Sequence, residues 1–365
     1  MIIDRISILN FKNIEDAELS FSPKINCFFG NNGMGKTNLL DALYYLSFTK
    51  NHTNLADSQL IKHNQDFCVL QGFYSEGEIV EEIYCGIKQG QKKVFKQNKK
   101  EYERLSDHIG LIPLVMISPS DSNLIQGGSD ERRKFVDMLI CQCDKAYLHA
   151  LIRYNKALQQ RNFLLREAPD STDISLFEIL EEQLINEGEI IYNKRKEFTT
   201  EFIPVFKEYY QIIAKGSESI DLQYDSQLNK LSLARLLVDK RAKDKMLGYT
   251  SVGIHKDDFH FLLENYLIRK TGSQGQNKTY LIALKLAQFS FLVKEGSTLP
   301  ILLLDDIFDK LDADRVEQII QLALQPEFGQ IFITDTNRKY LDEILESMNH
   351  DYKLFQVKEG VIKEL

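Results

Sequence analysis

The chain has 365 residues, 43% hydrophobic and 27% charged, enough to bury one large core or two smaller ones. A formal net charge of −8 excludes general electrostatic attraction to nucleic acid, so any such contact must come from a local basic surface. No run approaches the roughly 18 apolar residues of a membrane span, and Met1–Arg5 does not begin an apolar leader, so a cytoplasmic protein with no membrane association is expected.

In chain order, Ile2–Leu9, Ala17–Phe21 and Ile25–Phe29 read as short strands. Cys27 in the third strand, with Cys68, Cys85, Cys141 and Cys143, forms no CxxC pair, and the five read as reduced, mostly buried thiols. The third strand runs into Gly30-Asn31-Asn32-Gly33-Met34-Gly35-Lys36-Thr37, which fits GxxxxGK[ST] in full and opens a helix over Asn38–Phe48. Glycines let such a loop curl so that its N–H groups face phosphates. Lys36 adds charge at the β and γ phosphates, the Thr37 hydroxyl is placed to ligate Mg²⁺, and the helix contributes its positive end. Further strands are expected at Phe67–Tyr74, Ile79–Lys88, Lys93–Gln97 and Leu111–Ser118. The lysines 88, 92, 93, 96, 99 and 100 surround Gly90; they fit either a phosphate-contacting hairpin or a solvated, lysine-protected edge.

From about Asp130 the pattern turns helical. Lys134–Arg166 and Leu176–Ile213 carry apolar residues at three- and four-residue spacing on either side of Pro169-Asp170-Ser171, predicting two long antiparallel helices that form either a projecting hairpin or a helical subdomain packed flat on the head. Arg132-Arg133 stands at a helix start, where cations are unfavourable, so a structural partner or an anionic ligand is required. His255-Lys256-Asp257-Asp258 reads as a turn locked by local ion pairs.

Strand-and-loop character returns near Gly248. Ser273-Gln274-Gly275-Gln276 precedes a buried helix over Leu281–Val293, and Ser with Gly at a helix N-terminus makes a second anion site. A chain already holding a phosphate loop has no use for another in the same pocket, so Ser273, Gly275 and Gln276 are expected to complete a neighbouring copy's ATP across a two-fold interface. Ile301–Leu304 is a buried strand ending in Asp305-Asp306, at the edge where parallel sheets bind ligands. Asp305 is the expected Mg²⁺ holder with Thr37, and Asp306 the residue that orients or deprotonates the attacking water. Leu311-Asp312 suits an interface loop, Ala313–Leu324 a crossover helix, and Gln330–Thr334 a parallel strand. Thr334-Asp335-Thr336 at its end either senses phosphate or makes a plain turn. The fold class expected is α/β: a P-loop head with mixed sheets, split into residues 1–125 and 249–365, with a mainly helical arm at 126–248 inserted between.

The order of these motifs resembles the RecF family, bacterial recombinational-repair ATPases of the ABC/SMC-like head class, over essentially the whole length. The resemblance rests on Ile8-Leu9-Asn10-Phe11-Lys12-Asn13, Gly30–Asn38, Ile117-Ser118-Pro119-Ser120-Asp121, Arg132–Asp137, Gly253–Asp258, Ser273–Gln276 and Leu303–Asp306. It implies a nucleotide site of Gly30–Asn38, with Lys36 and Asp306 catalytic, and an ATP-dependent homodimer. It further implies ATP-dependent binding to double-stranded and gapped DNA, with slow, DNA-dependent ATP hydrolysis that resets the clamp. Work in DNA replication, repair and the SOS response to DNA damage is implied too, at the nucleoid, with the RecO and RecR mediators that load the recombinase RecA. Three departures bear on DNA and transition-state contacts: Ser47–His52 lacks the family's basic arginine stretch, Asn277-Lys278 replaces Gln-Arg, and Gly127-Gly128-Ser129-Asp130-Glu131 replaces a Gly-x-Pro. Two other readings share the phosphate loop. A transporter ATPase subunit would carry a shorter insertion and an LSGGQ-like signature; a structural tether would bind ATP without hydrolysing it, and Asp306 discriminates.

Overall fold

The computed structural model describes all residues except 54, 168–173, 215–217, 297, 307–324, 326–327 and 337–350. The chain opens with strands β1 (Ile2–Phe11), β2 (Ile14–Ser20) and β3 (Ile25–Phe29), then helix α1 (Lys36–Phe48). Strands β4 (Phe67–Glu76), β5 (Ile79–Lys88), β6 (Val94–Gln97), β7 (Lys100–Glu101) and β8 (Leu114–Ile117) follow. Helices α2 (Ser122–Gln126), α3 (Ser129–Cys143), α4 (Lys145–Glu167) and α5 (Ile174–Ala214) occupy the middle. Next come β9 (Ile220–Asp225), α6 (Leu233–Leu247), β10 (Asp258–Leu263), β11 (Tyr266–Leu267), α7 (Ile268–Thr271) and α8 (Gln274–Glu295). The described elements end with β12 (Ile301–Asp305), β13 (Ile331–Asp335), β14 (Tyr352–Lys358) and β15 (Val361–Glu364). The expected Ala313–Leu324 crossover helix, the Leu311-Asp312 loop and the Pro169-Asp170-Ser171 break lie outside the described residues.

Two compact units emerge: Met1–Asp121 with Ile212–Ala214 and Ile282–Leu365, and Ser122–Gln211 with Lys215–Leu281. This grouping differs from the expected division at 125/126 and 248/249. The second unit continues to Leu281 because β10 pairs antiparallel with β9 through Phe259↔Tyr224 and Phe261↔Leu222. Tyr280 then packs edge-on against Phe206, centroids 4.8 Å apart, tying the start of α8 to the same core.

The first unit holds two sheets. One is antiparallel in the order β2-β1-β4-β5-β6-β7; the other runs β15-β14-β3-β13-β12-β8 with parallel pairing from β14 through β8. The strands β3, β12 and β13 are buried at every position, as strands covered on both faces must be. Phe28 stacks on Phe355 at 4.7 Å while Phe21 meets Phe332 edge-on at 4.9 Å, fixing β3, β13 and β14 side by side. This order leaves one strand, β13, between the phosphate-loop strand β3 and the Asp305 strand β12.

The second unit is mainly helical. The single helix expected over Lys134–Arg166 is two: Asp144 adopts an extended conformation (φ −125°, ψ 101°) that ends α3. Its carboxylate then accepts the Tyr147 N–H at 2.9 Å and so caps α4. Helices α4 and α5 are antiparallel neighbours, since Arg153 pairs with Glu187 and Arg161 with Glu181. Arg161, fully buried, also reaches Asp244 at 2.9 Å and Thr250 at 2.8 Å. Arg132, 4% exposed, grips the Asp258 carboxylate with two nitrogens at 2.7 and 3.0 Å, and Arg133 donates to the Asp257 carbonyl at 2.5 Å. The arginine pair therefore has a structural partner. No described helix is long and apolar enough to cross a membrane.

Candidate functional site

The phosphate loop leaves β3 at Gly30 and enters α1 at Lys36. Gly35 has φ +113°, and a Cβ there would stand 2.7 Å from Asn13 Oδ1, so only glycine fits. As N-cap of α1 it brings no side-chain hydrogen bond, and no acidic residue stands in the first turn. A helix start so left has unsatisfied N–H groups and a positive end, which suits an anion. Lys36 is 3% exposed, and its ammonium bends back over the loop to donate to the carbonyls of Gly30 at 2.7 Å and Asn31 at 3.4 Å. Asn31, Asn32 and Gly33 are exposed at the loop crest.

Thr37 donates its hydroxyl to Asp305 Oδ1 at 3.0 Å. Thr334, at the end of the intervening β13, donates to the same oxygen at 2.8 Å and accepts the Asp306 N–H at 3.0 Å. Burial pushes the Asp305 carboxyl above its ordinary range, Asp306 and Asp41 push the same way, and the Thr334 and Thr37 hydroxyls oppose them. Asp306 adopts φ +44°, which turns its side chain out of the strand line. Its Oδ1 is buried without a hydrogen-bond partner and lies 3.6 Å from Lys36 Nζ. The structure thus brings together Lys36, Thr37, Asp305 and Asp306. A hydroxyl and a carboxylate, both hard oxygen donors, suit Mg²⁺, and a carboxylate oxygen with no hydrogen bond, facing the Lys36 ammonium, has capacity left to accept one from water.

Beside this, Asp121 accepts from Lys285 at 2.9 Å and faces His52 at 3.5 Å. Burial raises its pKa, but Lys285 and His52 outweigh burial and hold it at about 2. Of the lysines around Gly90, Lys93 points inward to the Tyr45 hydroxyl at 3.0 Å and Asp57 at 3.2 Å, and Lys96 lies 5.6 Å over the Tyr84 ring. Lys88, Lys92, Lys99 and Lys100 are exposed.

The second unit carries the other predicted segment. Ser273 is the exposed N-cap of α8: its Oγ accepts the Gln276 N–H at 3.2 Å while Gln276 Oε1 accepts the Ser273 N–H at 2.7 Å. This reciprocal cap leaves the Ser273 hydroxyl hydrogen available to donate. Gln276 also donates to Glu218 at 2.7 Å, so its amide is committed within its own unit. His255 is locked by hydrogen bonds and not by the expected local ion pairs: Tyr154 donates to Nδ1 at 2.9 Å, Nε2 donates to the Thr250 carbonyl at 3.0 Å, and the following Asp257 and Asp258 pair with the sequence-distant Arg195 and Arg132. Among the described residues, no group of three or more His, Cys, Asp or Glu side chains could hold a metal on its own.

A glycine-cradled helix start with its lysine, one intervening strand and a carboxylate pair at the next strand end define a P-loop nucleotide-binding head of the ABC/SMC type; with the inserted, mainly helical unit the fold is α/β. The family model of the RecF/RecN/SMC N-terminal domain matches residues 2–363. The DNA replication and repair protein RecF of Azobacteroides pseudotrichonymphae is 68% identical, and that of Parabacteroides distasonis 62%, each over the full length of both chains. A solved structure of the recombination mediator protein RecF-ATP in the RecFOR pathway superimposes with a TM-score of 0.90 at 28% identity, covering 100% of this chain and 97% of the other. An Smc head bound to the winged-helix domain of ScpA reaches a TM-score of 0.60 at 14% identity, a likeness of fold. The chain belongs to the RecF family.

Proposed function

We propose that this chain is an ATP-dependent DNA-binding clamp in recombinational repair and replication restart. It binds ATP in the Gly30–Asn38 loop, dimerises around it, and holds duplex DNA beside single-stranded gaps. Slow hydrolysis then releases the clamp, and the RecO and RecR mediators use it in loading the recombinase.

The observation that carries this reading is the convergence of Lys36, Thr37, Asp305 and Asp306 on one sheet edge, with Thr37 and Asp305 sharing a 3.0 Å hydrogen bond. Thr37 and Asp305 would hold Mg²⁺, which when bound neutralises charge on the β and γ phosphates. Lys36 gives up its contacts with the Gly30 and Asn31 carbonyls and turns its ammonium to phosphate oxygens. Asp306, close to that ammonium, accepts a proton from or orients the attacking water. An aspartate reaches less far than a glutamate, which keeps turnover slow.

The exposed Ser273 hydroxyl and the Gly275 N–H supply the second half of the nucleotide's surroundings, from a neighbouring copy. The solved RecF-ATP relative, alike over the whole chain, supports nucleotide binding here. A DNA contact made by exposed lysines would be independent of sequence and sensitive to salt. The direct test is a duplex-binding titration with and without ATP at fixed salt. Binding that requires ATP and weakens steeply from 50 to 200 mM salt is expected; equal binding without nucleotide would reject the clamp.

A further inference from the structure

The Met34 carbonyl is held from two sides by residues far away in sequence. Asn13, in the turn between β1 and β2, donates Nδ2 to it at 3.1 Å, and Gly360, in the turn between β14 and β15, donates its N–H at 2.8 Å. The neighbouring Glu359 N–H points at the Met34 sulfur at 3.3 Å. Asn13 is itself fixed in place: its Oδ1 accepts from Asn38 at 2.7 Å, and Lys12, one residue before, is ion-paired with Asp41 of α1. The other turn fits as closely. Gly360 has φ +80°, and a Cβ on it would stand 2.3 Å from the Asn13 carbonyl oxygen.

The C=O and N–H of a planar trans peptide point in opposite directions. The two donors pull the Met34 oxygen to the outside of the loop. The N–H of the same peptide, that of Gly35, is thereby turned to the inside, where a phosphate would sit. We propose that Asn13 and Gly360 are positioning residues that aim the Gly35 amide, and through it the loop, at the nucleotide's phosphates. Neither touches nucleotide in this role; both act through one peptide plane. Without them the Met34–Gly35 peptide is free to flip, as glycine at its carboxyl side permits, and the loop then presents an oxygen where it needs a donor. This inference rests on the reading of Gly30–Asn38 as a phosphate site.

The test is MgADP binding by calorimetry to the full chain and to Asn13→Ala and Gly360→Ala, with the thermal midpoint of nucleotide-free protein as control. The expected result is that both variants bind about tenfold more weakly, the size of one lost hydrogen bond, while the nucleotide-free midpoint of Asn13→Ala stays within about 2 °C of the unmodified protein. A second readout needs no variant: in protein labelled with ¹⁵N-glycine, the Gly35 amide proton shifts downfield when MgADP binds. Affinity within twofold of the unmodified protein for Asn13→Ala, or a Gly35 amide that does not respond to bound ADP, overturns the inference and leaves the nucleotide site standing. Unmodified protein that binds no nucleotide rejects the phosphate-site reading itself.

Discussion

The Thr334 hydroxyl donates to the Asp305 carboxylate across 2.8 Å, bridging two strands whose register sets those residues directly opposite each other. Thr334 is fully buried and accepts the Asp306 N–H as well, so it holds the Asp305 carboxylate and the Asp306 backbone rather than facing phosphate. With Thr37 it opposes the upward pull of burial on the Asp305 pKa. Thr334→Val, nearly the same shape, removes that opposition. The Asp305 pKa rises further, and the carboxylate needed for Mg²⁺ is lost at a higher pH. The Mg²⁺ concentration for half-maximal ATP hydrolysis is expected to rise, and by more at pH 6 than at pH 8, one hydrogen bond to a charged group being worth about 1.5 kcal/mol. An unchanged Mg²⁺ profile at both pH values would remove Thr334 from this role.

Lys36→Ala deletes an ammonium positioned over the loop. Its carbonyl contacts are minor beside charged contacts to phosphate, each worth about 1.5–3 kcal/mol. Equilibrium ATP binding should weaken by tenfold or more, with the thermal midpoint of the nucleotide-free protein little changed. Undiminished affinity in a fluorescent-nucleotide titration would place the phosphates elsewhere.

His255 is kept neutral. Burial is the main cause and Lys256 and Arg133 add to it, holding the ring's pKa down at about 4 against an ordinary 6.5. A folded pKa below the unfolded value means that the unfolded chain binds the proton first. The stability this site contributes is therefore complete above pH 6.5 and is lost as pH falls toward 4. The loss amounts to about 3 kcal/mol at the low end. Urea midpoints measured from pH 7.5 down to 4.5 should fall more steeply for the unmodified protein than for His255→Gln. Parallel curves would show that the imidazole is not buried neutral.

Arg161 and its partners Glu181 and Asp244 are nearly or wholly inaccessible, with side-chain exposures of 0%, 5% and 0%. Removing the cation leaves two buried carboxylates: Glu181 keeps Arg241, while Asp244 keeps the neutral Ser251 N–H at 3.0 Å. Arg161→Met is expected to destabilise the helical unit by about 3–5 kcal/mol, read as an early transition in denaturant. Arg161→Met with Asp244→Leu should recover part of that loss; a single substitution within about 1 kcal/mol of the unmodified protein would mean the pair is solvated.

The nucleotide loop was legible because its chemistry is local: glycine spacing, a lysine and a threonine follow one another between an apolar run and a helix. Asp305-Asp306 was legible for the same reason, at the end of an unbroken apolar strand. The work of Thr334 was not, because choosing between a phosphate sensor and a carboxylate partner requires the β12–β13 register. Asn13 and Gly360 were missed because their common target, Met34, is distant from both in sequence, although Asn13 lies in a segment that marks the family. The break at Asp144 carried a signal, an Asx cap three residues before Tyr147, that periodicity alone passes over. Strand β9 was overlooked although Ile220 and Leu222 are buried while Gln223 is exposed, a short alternation beside a 41-residue helix.

The proposed bridging of two copies by nucleotide is tested most directly by mass. Light scattering of the unmodified chain should give 42.3 kDa with MgADP and a doubled mass with MgATP. Ser273→Asp keeps the helix cap but sets a carboxylate against the partner's phosphates; it should bind ATP as a monomer and stay at the lower mass. Equal masses in ADP and ATP, or an ATP dimer unaffected by Ser273→Asp, would contradict the account.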